Sequence, residues 1–422
     1  MATQTGTLAL RGWISNVTQR TGFPVPPPPA KIIQQYQHWT PTKGYRVIAQ
    51  SIRSGEFVDW DVPLSDVEIT DTLSGPSTLT GTLTPENPAV NLTAFDAWST
   101  WLHIEDANGL IQASGILQPV SLDGVTLTID AASHSEYAHG TPFLGTYEVI
   151  QGDPLDVIRL IWAHIQSYAA GDLGVTLDAT TSPVKIGTEP QDVNFTTGSG
   201  EAVSFSTSDG PYQLNWWDHK DCGDEINNLA KSTPFDYRDT CAWNADRTGV
   251  DHHIELGYPR LGRALTNQRF EQGVNVTNPI PVAELDDAYA SDVIALGAGD
   301  GSAMIRGTAG TDPGTRLRRV AVVSDTSMTT VAVANGSAQA ELIRRAAKVS
   351  FSKITVDTTH PAAEWGSYNV GDDIPVTGEF PWIGQATILH RITGRTWSLD
   401  SPLADLTLVP SASVNYAGGA TQ

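Results

Sequence analysis

WLHIEDANGLIQASGILQPVSLDGVTLTI, residues 101–129, decides the fold class. Two dipeptides within it, Asn108-Gly109 and Asp123-Gly124, each separate runs rich in β-branched and aliphatic residues. Both suit the positive φ angles of a tight type I′ turn. They predict two hairpins: Trp101–Asp106 with Leu110–Leu117, and Val120–Leu122 with Val125–Ile129. Consecutive short antiparallel hairpins build a small barrel or sandwich.

The same pattern extends upstream. Val67 and Ile69 alternate with Glu68 and Thr70, and Leu79, Gly81 and Leu83 alternate with threonines. Residues 44–147 therefore read as a first β-barrel. The character changes at Asp153-Pro154, a capping carboxylate followed by proline in the first helical turn. Leu155, Ile158, Ile161, Trp162, Ile165 and Tyr168 then recur at helical spacing, and Gly171 is the expected stop. Thr180 to Gly210 reads as loop with some strand. A second helix is expected after Asp221, carrying Ile226 and Leu229. Strands follow at Phe235–Tyr237, Cys241–Trp243 and Ile254–Leu256, so residues 148–268 form an α+β middle domain. Residues 269–410 return to β as a second barrel. Its expected strands are Val293–Leu296, Met304–Arg306, Leu317–Ser324, Ile354–Asp357, Ala386–Ile392 and Leu406–Val409, with a helix over Ala338–Val349. In its closing hairpin, Ala386–Ile392 pairs with either Arg395–Leu399 or Leu406–Val409. Residues 1–43 form a Pro-rich extension in which Pro24, Pro26, Pro27, Pro28 and Pro29 hold the chain extended, with Trp13, Ile14, Tyr36 and Trp39 placed to dock it. Residues 411–422 form a small polar tail expected to be flexible. The expected fold is mainly β with an α+β insertion, two barrels flanking a middle domain.

Composition narrows the function. A hydrophobic fraction of 40% is enough to fill real cores and rules out a disordered chain. The net charge of −22 argues against nucleic-acid recognition, which needs Lys and Arg against phosphate. It serves solubility, and it would also suit the lumen of a tube that passes DNA. Cys222 and Cys241 are too few for a disulfide framework. Met1 to Leu10 lacks a charged segment followed by a long apolar one, so no signal peptide is expected. No apolar run reaches the ~18 residues that would span a membrane. The N-x-[ST] matches at Asn16, Asn91, Asn194, Asn275 and Asn335 read as chance in a Thr-rich chain.

Signals for chemistry are weak. Gly297-x-Gly299-x-Gly301 is followed by a strand-like segment rather than the helix a phosphate cradle requires, so it reads as a hairpin turn. His219, Cys222, Cys241, His252 and His253 lack the spacing of a zinc finger. They read instead as buried thiols and surface histidines. Asp286-Asp287 and Asp372-Asp373 lack the alternating ligands of a calcium loop and read as solvated turns. Trp216-Trp217 could form a sugar platform, but packing in a core or interface is favoured. A carboxylate pair for glycoside cleavage is not singled out among 47 acidic residues. No catalytic, cofactor-binding or metal-binding residue is assigned, no cofactor is expected, and the chain does not read as an enzyme.

Several stretches resemble one family. Tyr45 to Asp61 (YRVIAQSIRSGEFVDWD), Val67–Leu73 (VEITDTL), Gly81–Pro85 (GTLTP) and Leu102–Glu105 (LHIE) resemble the first barrel of minor tail proteins, the tail-tip (baseplate) hubs of long-tailed actinobacterial phages. Gln151 to Ile165 (QGDPLDVIRLIWAHI) is similar to the helix that follows that barrel. Pro234 to Trp243 (PFDYRDTCAW) and Ile254 to Arg263 (IELGYPRLGR) resemble the middle domain, and Tyr368 to Pro375 (YNVGDDIP) the last barrel. The resemblance covers roughly residues 44–410. It implies a structural homotrimer whose barrels form a ring of six, adapting the sixfold tail tube to a threefold tip and lining part of the DNA exit channel. The implied partners are the distal tail protein, the tape-measure protein and tail fibre or spike proteins. The implied location is the virion tail tip, after synthesis in the host cytoplasm. The alternatives are a host-surface carbohydrate (receptor) binding tail protein and, less in keeping with the residues, a cell-wall hydrolase.

Overall fold

The computed structural model describes residues 44–84, 96–124, 126–189, 192–196, 202–206, 210–233, 235–277, 289–325, 328, 331–346, 352–380 and 384–411. The Pro-rich extension, Asn16, Asn91, Asp286-Asp287, the side chain of Asn194 and the tail beyond residue 411 lie outside the described residues.

The chain is mainly β. Its first β region comprises β1 (Tyr45–Ser51), β2 (Phe57–Asp59), β3 (Ser65–Thr72), β4 (Thr78–Leu83), β5 (Thr100–Asp106), β6 (Ile111–Leu117), β7 (Ser121–Asp123) and β8 (Thr126–Ala132). The hydrogen-bonded order runs β3-β4-β8-β6-β5-β1. The Val62 N–H donates to the Val47 carbonyl at 2.7 Å, bringing the chain from β1 back to the start of β3. Alternation does the sorting: Leu79, Gly81 and Leu83 of β4 face inward and its threonines outward.

The last β region has β16 (Phe270–Glu271), β20 (Lys353–Asp357), β21 (Asp373–Phe380), β22 (Gly384–Ser398) and β23 (Leu403–Pro410), in the order β16-β21-β22-β23-β20. This circuit also returns on itself. Thr277 N–H donates to the Thr355 carbonyl at 2.9 Å, and Asp357 N–H to the Asn275 carbonyl at 2.8 Å. Of the two pairings open to the closing hairpin, β22 with β23 forms, placing Ile392 opposite Leu408.

The two regions are fused. Strand β3 runs antiparallel to β22, from Thr72 opposite Gly394 to Glu68 opposite Ser398. The result is one 13-stranded sheet. A single apolar core, from Val47 and Ile104 to Ile374 and Leu406, runs through both circuits.

The hairpin at Asn108-Gly109 forms, but not through a type I′ turn. Only Gly109 of the pair has positive φ, at +75°. Asp106 Oδ1 accepts from the N–H groups of Asn108 and Leu110 at 2.8 and 2.9 Å, holding a wider loop with a bulge beside it. The side-chain acceptor outcompetes the tight turn. At the second hairpin Asp123 is still paired, opposite Thr126, so the loop falls one residue later than expected, with Gly124 at φ +62°.

The insertion holds β9 (Thr146–Val149), α1 (Pro154–Gln166), β10 (Thr176–Leu177), β11 (Asp192–Thr196), β12 (Ala202–Ser206), β13 (Tyr212–Asn215), α2 (Cys222–Ser232), β14 (Asp236–Trp243) and β15 (Val250–Gly257). Helix α1 forms as its sequence predicts. Asp153 Oδ1 accepts from Leu155 N–H at 2.9 Å, and Leu155, Ile158, Ile161, Trp162 and Ile165 are buried. It ends at Gln166, short of Gly171, where the Gln166 side chain bonds both backbone groups of Val175. A second apolar core gathers this helix, α2 and the sheet β10-β15-β14.

Within the last β region, β17 (Asp292–Leu296), β18 (Arg306–Gly310), β19 (Val320–Ser324) and α3 (Val331–Ala346) form a small lobe with its own core. Strands β17 and β18 are antiparallel neighbours, so the glycine-rich segment between them is a hairpin connection. A 3-10 turn at Gly301–Ala303 shifts the strand expected at Met304 to Arg306, and Leu317, expected in a strand, is 87% exposed ahead of β19. Helix α3 starts ahead of Ala338 because Ala334 packs on Gly307, where an added Cβ would lie 2.1 Å from the Ala334 carbonyl carbon. None of the described helices is long and apolar enough to cross a membrane.

Candidate functional site: the junction of the barrels and the insertion

The most elaborate chemistry among the described residues lies where the insertion meets both β circuits. Three contacts build it. In the first, Trp243, the last residue of β14, plugs into the first circuit. Its indole N–H donates to Glu105 Oε1 at 2.9 Å, and its ring stacks with Trp60 at 6.3 Å and 19°. Glu105 is paired with Arg46 at 2.6 Å, directly across β1 and β5, and both are buried. The Arg46 guanidinium lies over Trp60, 5.4 Å from its centre.

In the second contact, β15 presents His252 to Trp101 as a stacked pair 4.0 Å apart. His252 Nε2 meets Ser114 Oγ at 3.0 Å, Ser114 meets His103 Nδ1 at 2.7 Å, and His103 Nε2 meets Gln50 Oε1 at 3.1 Å. Full burial pushes His103 down to about 3, so it is neutral at physiological pH. Burial lowers His134 as well, with the carboxylate of Asp239, 3.3 Å away, opposing the shift.

The third contact ties the insertion to the last circuit. Arg391, fully buried on β22, donates from Nη2 to Asp236 Oδ2 and to the Leu261 carbonyl, and from Nε to the Gly371 carbonyl. Arg238 bridges Glu255 and the Val370 carbonyl. Between β3 and β22, Arg395 pairs with Asp71 at 2.7 Å. A cleft of about 240 Å³ lies at this meeting point, lined by Asp71, Ser114, His134, Arg238, Cys241 and Arg395 among others.

The residues singled out from sequence fall as follows. Cys222 opens α2, and His219 sits exposed with φ +50°. Cys241 and His252 are cross-strand neighbours, while His253 faces away to Thr176 and Asp178. Desolvation, with nearby carboxylates adding to it, pushes both thiols up to about 12, so neither supplies a thiolate at neutral pH. These five residues do not gather into a ligand set. Among the described residues one group has ligand atoms close enough for an ion, His139, Asp221 and Asp224. Asp221 is occupied there, capping α2 through Asp224 N–H and accepting from Gly140 N–H.

Asp372-Asp373 is not a solvated turn but a buried pair leading into β21. Asp372 accepts from the N–H groups of Arg263 and Asn369, and Asp373 pairs with Arg260 at 2.9 Å. Asn275 is fully buried, accepting from Glu271 N–H and donating to the Arg269 carbonyl. Asn335 accepts from Thr308 N–H. Both act as structural amides.

Trp216 and Trp217 are not packed in a core of this chain. Each is 53% exposed, on a 3-10 turn after β13, with rings 5.5 Å apart at 84°. Trp216 N–H bonds the Gly145 carbonyl, next to the exposed Leu144. Leu144 N–H donates to His164 Nε2, and the His164 ring packs edge-on against the exposed Tyr168 at 5.5 Å. Leu144, Tyr168, Trp216 and Trp217 are thus exposed apolar residues on neighbouring segments, of which the sequence singled out the two tryptophans as a pair.

No protein-family model matches the chain, and no curated protein matches it in sequence. Solved structures do match. A 43 kDa tail protein of prophage MuSo2 from Shewanella oneidensis is similar with a TM-score of 0.52 and 14% identity, over 88% of this chain and 99% of that one. The chain has the fold of a phage tail protein. A tail protein from Neisseria meningitidis (TM-score 0.49, 14% identity, 86% of this chain and 96% of that one) and a prophage tail protein from Listeria monocytogenes (0.49, 11%, 87% and 95%) are also similar. The buried ion pairs and ring stacks of the junction join the insertion to both circuits.

Proposed function

We propose that the chain is the structural hub of a phage tail tip, without a catalytic role of its own. The observation that carries this reading is the pair of β circuits fused through β3 and β22 in a chain with the fold of a phage tail protein. Residues 44–147 and 269–410 would supply the two tube-like barrels, and 148–268 the domain between them. Three copies would close a ring of six barrels, continuing a sixfold tube into a threefold tip and lining part of the DNA exit channel. The partners would be the distal tail protein, the tape-measure protein and fibre or spike proteins, in the virion of an actinobacterial phage. Direct glycan recognition is less well supported: Trp216 and Trp217 stand at 84°, whereas a sugar platform needs a flat face. Native mass spectrometry at micromolar concentration tests the hub. A species three times the 45.2 kDa chain is expected, and a monomer that persists when the distal tail protein is added would overturn the trimer.

A further inference from the structure

We infer that the outer edge of β19 is a self-pairing site. It takes the β19 of a second copy of this chain as an antiparallel strand, about a twofold axis through Val322. The sheet of the small lobe runs β18-β17-β19, so it has two edges. Helix α3 closes the first: the outward N–H of Thr308 on β18 donates to Asn335 Oδ1 at 2.9 Å, and Ala334 lies against Gly307. The second edge has no partner strand among the described residues. It is Val320-Ala321-Val322-Val323-Ser324, five residues without charge, proline or bulge, a composition that invites another strand.

The backbone fixes how the second strand lies. Asp292 N–H donates to the Arg319 carbonyl at 3.1 Å, and Asp325 N–H donates to the Leu296 carbonyl at 2.9 Å. At each end of β19, then, the odd-numbered residues turn their peptide groups to β17, and Ala321 and Val323 between them do the same. The N–H and C=O groups of Val320, Val322 and Ser324 therefore point to the open side. One antiparallel register uses all three residues: Val322 opposite Val322, and Val320 opposite Ser324, each pair exchanging two hydrogen bonds. That register also sets Arg319 of one copy opposite Asp325 of the other, twice by symmetry. Both residues are exposed, and opposite charges directly across an antiparallel ladder stabilise it. On the other side of the sheet it covers Val320 and Val322, 43% and 57% exposed. A slip by two residues loses a bonded pair and both charge pairs, so the segment is self-complementary in one register. A strand pair this short buries less than ~1,200 Å², the range of weak and transient contacts, so it forms at concentrations on the order of 100 µM and leaves micromolar species unchanged.

Sedimentation equilibrium of the full chain, from ~5 to ~500 µM, tests this. The mean mass of the wild-type chain should double across that range. The doubling is read against the species present at low concentration, whether one chain or three, so the hub reading stands or falls separately. Val322→Pro removes the central outward N–H and leaves the bonds to β17 in place, so its mass should stay flat. Arg319→Asp and Asp325→Arg should each weaken the pairing about tenfold, because two attractive pairs become repulsive. Combined in one chain, the two reversals recreate the pairs and should restore it. Should the proline variant fail to fold, the charge exchange decides. A wild-type mass that does not rise would overturn the proposal. So would a rise that survives Val322→Pro, single reversals without effect, or a double exchange as weak as the singles.

Discussion

Arg391→Met should unlock the insertion from the last β circuit. The guanidinium has no exposed surface and reaches Asp236, the Leu261 carbonyl and the Gly371 carbonyl. Its loss removes the cation facing the Asp236 carboxylate, which is 3% exposed and still accepts from the Leu261 N–H at 2.8 Å. Breaking one side of a buried ion pair costs ~3–5 kcal/mol, mostly the desolvation of the charge left behind. Asp236→Asn alone strands the arginine and should cost a similar amount. The double variant strands nothing, so its cost should fall short of the sum of the singles by about 1–3 kcal/mol. Urea unfolding followed by tryptophan fluorescence reads the midpoints, and limited proteolysis reads whether residues 148–268 loosen first. Single variants within ~1 kcal/mol of wild type, or strictly additive costs, would refute the view that this pair locks the junction.

Two further outcomes follow from burial and close packing. His103 and His390 are held neutral by desolvation, pushed down to about 3 and about 4 from the ordinary 6.5, so in between the unfolded chain binds more protons than the folded one. Their contribution to stability is complete above pH 6.5 and is lost as pH falls toward 4; His103→Gln should flatten the dependence of the melting midpoint on pH in that window, and an unchanged slope would count against it. Gly307→Ala should push α3 off its sheet, because the new Cβ would meet the Ala334 backbone at 2.1 Å; a loss of ~1–3 kcal/mol, read as faster hydrogen exchange confined to residues 292–346, is expected.

Local signals carried most of the elements. Asp153-Pro154 and the spacing of Leu155, Ile158, Ile161 and Ile165 defined α1 because a cap and a buried stripe are both encoded within one helix. Glycines marked both early hairpins, but the turn type was misjudged because Asp106, four residues before Leu110, supplies the acceptor that widens the loop. The start of α3, at Val331 rather than Ala338, depends on a contact that sequence does not show: Asn335 is held by Thr308 N–H on the neighbouring strand. The junction was not legible at all. Arg391 and Asp236 are 155 positions apart, and nothing in either neighbourhood marks the other. A charged residue in a strand pattern reads as outward-facing until the partner that neutralises it is known.

The placing of charge at the junction follows from what apolar packing cannot do. The two main apolar cores are nondirectional, and two such bodies in contact can slide or rotate with little change in buried area. Sheet fusion removes that freedom between the circuits, because each hydrogen bond from Thr72 opposite Gly394 to Glu68 opposite Ser398 fixes a register. Among the described residues the insertion meets the 13-stranded sheet through isolated backbone bonds, Ser74 N–H to the Tyr237 carbonyl and the bridge of Ala264 with Asp373, rather than through a shared ladder, so side chains carry much of its orientation. The pairs Arg391 with Asp236 and Arg46 with Glu105, the latter joined by Trp243, are directional and costly to break once dehydrated. They hold one geometry out of the many that hydrophobic contact would accept.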